Sequence, residues 1–204
     1  MYFLISDPSI NTTYTNQVFE KYFTVHLSLF KHTKDEHLTS VAPMMYEIDG
    51  ENFKKAINEI GVVINSYLII KSLKPIEELA THFRSFLYQK VNGHQYYFRY
   101  WDSRVLKKFF PTCTEAQLLT FFGPIQQIIC EHDDLDRRMI LSLDRNCKLS
   151  NEIITKESFF ELITPMHEKS TQIENAGIND NKKEIKTDHL PKKEGGKNKF
   201  SIFD

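Results

Sequence analysis

The chain has 204 residues, 41% of them apolar, enough to bury a sizeable core as one main domain with an appendage. Its formal net charge of −1 at pH 7 leaves no overall field to draw it to nucleic acid or an anionic membrane. The N-terminal MYFLISDPSI lacks a basic leader and no apolar run approaches the roughly 18 residues of a spanning helix, so a soluble, cytoplasmic protein is expected.

In chain order, Tyr2 to Ser6 reads as a buried strand closed by the turn Asp7-Pro8. Val18, Phe19, Tyr22 and Phe23 fall at helical spacing. Val25 to Phe30 reads as a strand or as a segment packing Leu27, Leu29 and Phe30 on the sheet, and Lys31 to Ser40 as a surface loop. Val41 to Ile48 is a strand with Pro43 near its start. Asp49 caps a helix over Glu51 to Ile60, and Gly61 ends it. Ser66 to Ile70, apolar without a break after Ser66, is predicted to be a central strand covered on both faces. Ser72 to Pro75 then opens a helix with proline in its first turn and Ile76, Leu79, Ala80, Phe83 and Leu87 on one side.

Asn92-Gly93 is the best hairpin signal, since both residues tolerate the positive φ of a type I′ turn. It pairs Leu87 to Val91 with His94 to Tyr100. Period two then puts His94, Tyr96, Phe98 and Tyr100 on one face and Gln95, Tyr97, Arg99 and Trp101 on the other. Asp102 caps a helix carrying Val105, Leu106 and Phe109, which Pro111 stops. Thr114 and Gln117 form a capping box for a helix bearing Leu118, Leu119, Phe121 and Phe122, closed by Gly123-Pro124. Ile125 to Cys130 is apolar without a decisive period. Glu131 to Arg138 reads as a solvated loop or helix end, Met139 to Leu143 as a strand and Lys156 to Ile163 as a short helix. From about Pro165 the Lys, Asn, Glu and Gly content predicts disorder, broken only by the apolar tip Phe200, Ile202 and Phe203. That tip is either incidental or a peptide that docks a partner.

The chemistry-bearing residues are sparse. Cys113, Cys130 and Cys147 are far apart with no C-x-x-C, which fits reduced thiols used as small core or surface residues. His26, His32 and His37 fit no metal spacing, so no cofactor is expected. Arg99, Asp102 and Arg104 form the one charged cluster of the aromatic stretch. They could bind a phosphate or carboxylate, but an ion-paired junction between strand end and helix start explains them with less. Tyr96, Tyr97, Phe98, Tyr100 and Trp101 could stack nucleobases. Few basic residues interleave with them, and core packing is preferred.

These residues nonetheless carry a resemblance. Phe98 to Leu106 (FRYWDSRVL), Phe110-Pro111-Thr112, Glu115 to Leu118 (EAQL) and Phe121-Phe122-Gly123-Pro124 follow one another in an order that resembles the bacterial type VI secretion adaptor chaperones, the Tap/TEC proteins. Ser28-Leu29-Phe30, Val41-Ala42-Pro43 and the segment Pro75 to Tyr88 agree with it upstream. Ser103 departs from the family's usual proline at a first-turn position, where proline is favoured but dispensable. Ala116 is a second departure.

The resemblance implies a non-enzymatic adaptor that binds a specific toxic effector and loads it onto the spike protein of the secretion system. Nucleic acid, membrane and small-molecule substrates then have no part. It makes Phe98, Arg99, Asp102, Arg104, Pro111, Phe121, Phe122, Gly123 and Pro124 mainly structural motif residues. The rivals are a small hydrolase or nucleotide-binding enzyme using Arg99, Asp102 and Arg104, and an immunity-like protein that neutralises the effector. The expected fold is α+β: a mixed sheet with an antiparallel hairpin, packed by helices. Its expected division is a core over residues 1–135, a short variable region over 136–165 and a disordered tail over 166–204.

Overall fold

A computed structural model describes residues 1–7, 13–61 and 67–164. Ser66, the tail from residue 166 and its tip (Phe200, Ile202, Phe203) lie outside these residues. The fold is α+β, and its centre is a seven-stranded sheet. β1 (Tyr2–Ser6) shows how that sheet is built. Phe3 and Ile5 enter one core, Leu4 enters another, and all three are fully buried. The same alternation runs through β4 (Tyr67–Ser72), where Leu68 and Ile70 oppose Tyr67 and Ile69. It recurs in β7 (Ile125–Glu131), where Ile128 and Cys130 oppose Ile129. A run can be apolar at every position and still alternate, because helices cover both faces.

With β2 (His26–Ser28), β3 (Met44–Ile48), β8 (Arg137–Leu143) and β9 (Leu149–Thr155), the strand order is β2-β3-β1-β4-β7-β8-β9. β4 is the middle strand, as its sequence implies. Every pairing among the described residues is antiparallel, so the sheet expected to be mixed contains no parallel pair there.

On one face lie α1 (Thr13–Tyr22), α2 (Gly50–Ile60) and α6 (Lys156–Ile163). Their Val18, Phe19, Phe53, Ala56, Phe159 and Ile163 close a core with Leu4, Tyr46 and Ile129. On the other face, α3 (Ile76–Arg84), α4 (Ser103–Phe109) and α5 (Glu115–Phe122) supply Leu79, Phe83, Leu106, Phe121 and Phe122 to a second core. The hairpin β5 (Tyr88–Val91) and β6 (His94–Tyr97) is a separate two-stranded sheet, not part of the large one.

Several local expectations change. Pro75 is the N-cap of α3, in extended conformation, and not a first-turn residue. Val41 closes a 3₁₀ turn over Thr39–Val41, so β3 begins only at Met44. Leu119 is solvent-exposed on α5. Residues 136–164 supply β8, β9 and α6, so the sheet and its second core run straight through residue 135. Among the described residues, no helix is long and apolar enough to cross a membrane.

Candidate functional site

Asn92 (φ 51°) and Gly93 (φ 80°) make the turn that the sequence requires. Beyond it the face assignment holds only to Tyr97. Tyr96 and Tyr97 are exposed, whereas Phe98, Tyr100 and Trp101 are all buried. The chain leaves the strand there: the Phe98 amide still donates to the Leu87 carbonyl, but the Asp102 amide already folds back on the Arg99 carbonyl. Tyr100 stacks on Phe83 with ring centroids 5.1 Å apart, and Trp101 meets Tyr100 edge-on at 5.0 Å. These rings are core. They do not form a platform open to bases.

Asp102 is the hub of the charged cluster. One carboxylate oxygen accepts from the Arg104 backbone amide at 3.0 Å and so caps α4. The Arg104 guanidinium forks onto both oxygens, at 2.9 and 2.7 Å. Arg99 lies 3.9 Å from the same carboxylate and donates at 2.7 Å to Asp7, a fully buried residue at the end of β1. Burial pushes the Asp102 carboxyl up, but the hydrogen bonds and charge of Arg104, joined by Arg99, outweigh it and hold the carboxyl below its ordinary value. The arrangement ties the end of β1, the end of the hairpin and the start of α4 together. Of the three named residues, Arg104 opens onto a shallow depression shared with Val105, Lys108 and Phe109. Asp7 completes the junction, and no local pattern announces it, because 92 residues separate it from Arg99.

The other motif residues also resolve into structure. Pro111 sits in a 3₁₀ turn, Phe110–Thr112, that continues α4 for one tighter turn. The capping box of Thr114 and Gln117 is complete in both directions. Phe121 and Phe122 are buried, and the Phe121 carbonyl accepts from His82 Nε2 at 2.7 Å. That histidine is held neutral, its pKa lowered by burial. Gly123 has φ 35°, and a Cβ there would lie 2.8 Å from the His82 ring. The Pro124 carbonyl accepts from Ser72 Oγ at 2.7 Å, joining the end of β4 to the start of β7.

A second polar cluster lies on the opposite face, where a solvated loop was expected. Glu131 and Arg138 face each other across β7 and β8, and both are buried. Arg138 donates to the Leu135 and Arg137 carbonyls and lies over the Phe159 ring. Burial, with the Glu131 carboxylate nearby, pushes the Tyr67 phenol up to about 12. These groups border a cavity of about 240 Å³ walled by Phe19, Ile57 and Leu135. Burial likewise raises the Cys113 thiol to about 11 and the Cys130 thiol to about 12, so neither is a thiolate near neutrality. Among the described residues, no group of three His, Cys, Asp or Glu side chains could hold a metal ion.

Comparison with curated proteins and with solved structures returned no match. A family model does match, over residues 2–119, and its description is a domain of unknown function, DUF4123. It ends within α5, so the junction of Asp7, Arg99, Asp102 and Arg104 falls inside it and β7, β8, β9 and α6 fall beyond it. Since the match covers more than half of the chain, the protein belongs to the DUF4123 family.

Proposed function

We propose that the protein is a non-enzymatic adaptor that binds one toxic effector in the bacterial cytoplasm and loads it onto the spike protein of a type VI secretion system. The observation that carries this reading is the family match over residues 2–119, on a stretch whose motif order resembles the adaptor chaperones. The geometry supports it in a second way. Arg99 and Arg104 are committed to Asp7 and Asp102, so the cluster that most invites an anion-binding or catalytic role is engaged in holding three elements together. The aromatic residues Phe98, Tyr100, Trp101 and Phe121 are spent on the core. In this reading recognition belongs to protein surfaces and needs no cofactor, nucleic acid or membrane.

The test is genetic and biochemical. The purified protein is expected to co-elute with the effector encoded beside it, and deleting its gene is expected to abolish delivery of that effector alone. Failure of every effector, or of none, overturns the proposal. Protection of a recipient cell by this protein alone would make it an immunity protein instead.

A further inference from the structure

β9 ends the sheet among the described residues, and a single charge at its midpoint, Glu152, is all that its sequence sets against strand pairing there. LSNEIIT contains no proline, glycine or lysine. It pairs with β8 over seven residues without a shift in register. Ser150, Asn151, Glu152 and Ile153 are exposed. Soluble proteins ordinarily protect an edge of this length, because its outward N–H and C=O groups template another strand. The opposite edge, β2, spans three residues.

Beside β9 runs a groove of about 280 Å³. Leu106, Phe110 and Pro111 form one wall and Met139, Leu141 and Leu149 the other. Ile153, 48% exposed, lies opposite Met139 and so extends the apolar wall along the same face. The groove's own Lys107 is paired with Asp133 at 3.1 Å, whereas Lys148, which precedes the lining Leu149, is exposed and has no ion-pair partner among the described residues.

We propose that β9 is the effector-docking edge: an extended segment of the effector adds to the sheet beside β9 and sends alternate apolar side chains into the groove between α4 and β9. The inference rests on the adaptor reading and names the surface that reading requires. Lys148 favours a segment with an acidic residue at the Leu149 end. A second copy of the chain fits poorly, since antiparallel pairing of β9 with itself about its midpoint sets Glu152 against Glu152.

The experiment uses the full chain and the purified effector encoded beside its gene. Hydrogen exchange of the β9 amides is expected to slow in the complex. Proline is introduced separately at Asn151 and at Glu152. Adjacent N–H groups on a strand point to opposite edges, so one variant loses a bond to β8 while the other loses only an outward donor and keeps its fold. The folded variant, and Ile153→Asp, are expected to bind effector at least roughly tenfold more weakly, with spike binding retained. Wild-type affinity in both, or β9 amides that exchange freely in the complex, overturns this docking edge but leaves the adaptor reading standing, because effector is still bound. An unaltered protein that binds no effector overturns the adaptor reading itself. If the β9 amides are already protected in the free protein and become exposed on dilution, or on deletion of Phe200 to Asp204, the occupant is a second copy or the chain's own tip, and the proposal fails.

Discussion

Asp102 accepts the α4 amide and both prongs of Arg104 while facing Arg99, so truncating it removes a cap and leaves two cations without their shared counter-charge. Asp102→Ala is expected to cost about 1–2 kcal/mol in urea denaturation. A variant of wild-type stability that fails to deliver effector would move Asp102 from structure to function. With its folded pKa depressed, Asp102 contributes stability that is complete above the ordinary carboxylate range and is lost as pH falls through the lower folded value. His82 acts in a higher window. Burial lowers its folded pKa, so the unfolded chain takes up a proton first, near pH 6.5, and stability declines as pH falls below that point. The Tm of the wild type is expected to drop between about pH 7 and pH 5, and His82→Gln, which keeps a donor for the Phe121 carbonyl, to flatten that limb. An unchanged pH profile would show that His82 is not the titrating group. The sequence exposes Asp102 and its two arginines because cap, strand end and helix start are adjacent. It hides Asp7 for lack of proximity, and it hides the burial of Glu131 and Arg138 because a charged run ordinarily faces water.

Elements with a local chemical signature could be read directly. The Asp49, Asp102 and Thr114 caps each accept the amide that their position demands. β9 has no such signature. As an edge strand with most residues exposed, it carries neither an alternating pattern nor a β-branched run before Ile153, and only its pairing with β8 makes it a strand. The hairpin faces failed past Tyr97 for a related reason: period two describes a strand, and the chain had already turned toward α4. At the end of α5, φ 35° and the close His82 ring both demand glycine. Gly123→Ala is therefore expected to destabilise by roughly 1–3 kcal/mol. Thermal melting beside His82→Gln/Gly123→Ala measures the coupling of the two sites. Strict additivity would mean that the ring contact contributes nothing.

At the scale of the molecule, the sequence shows a sheet with two covered faces but not where that sheet ends. The core was expected to end at residue 135, yet the strands on either side of that point are neighbours. For the segment beyond the described residues the expectation is functional. Deleting Phe200 to Asp204 should weaken effector binding and leave Tm unchanged. Equal affinity by calorimetry would remove the tip from recognition.

The position of β7 has a consequence during synthesis. β4 pairs with β1 on one side and with β7 on the other, and Ser72 and Pro124, which join β4 to β7, are 52 residues apart. At ribosomal rates of about 5–20 residues per second, the apolar middle strand waits roughly 3–10 seconds for its second neighbour. Over that interval the nascent chain exposes an apolar strand that the finished protein buries between two cores, a segment of the kind that holding chaperones bind.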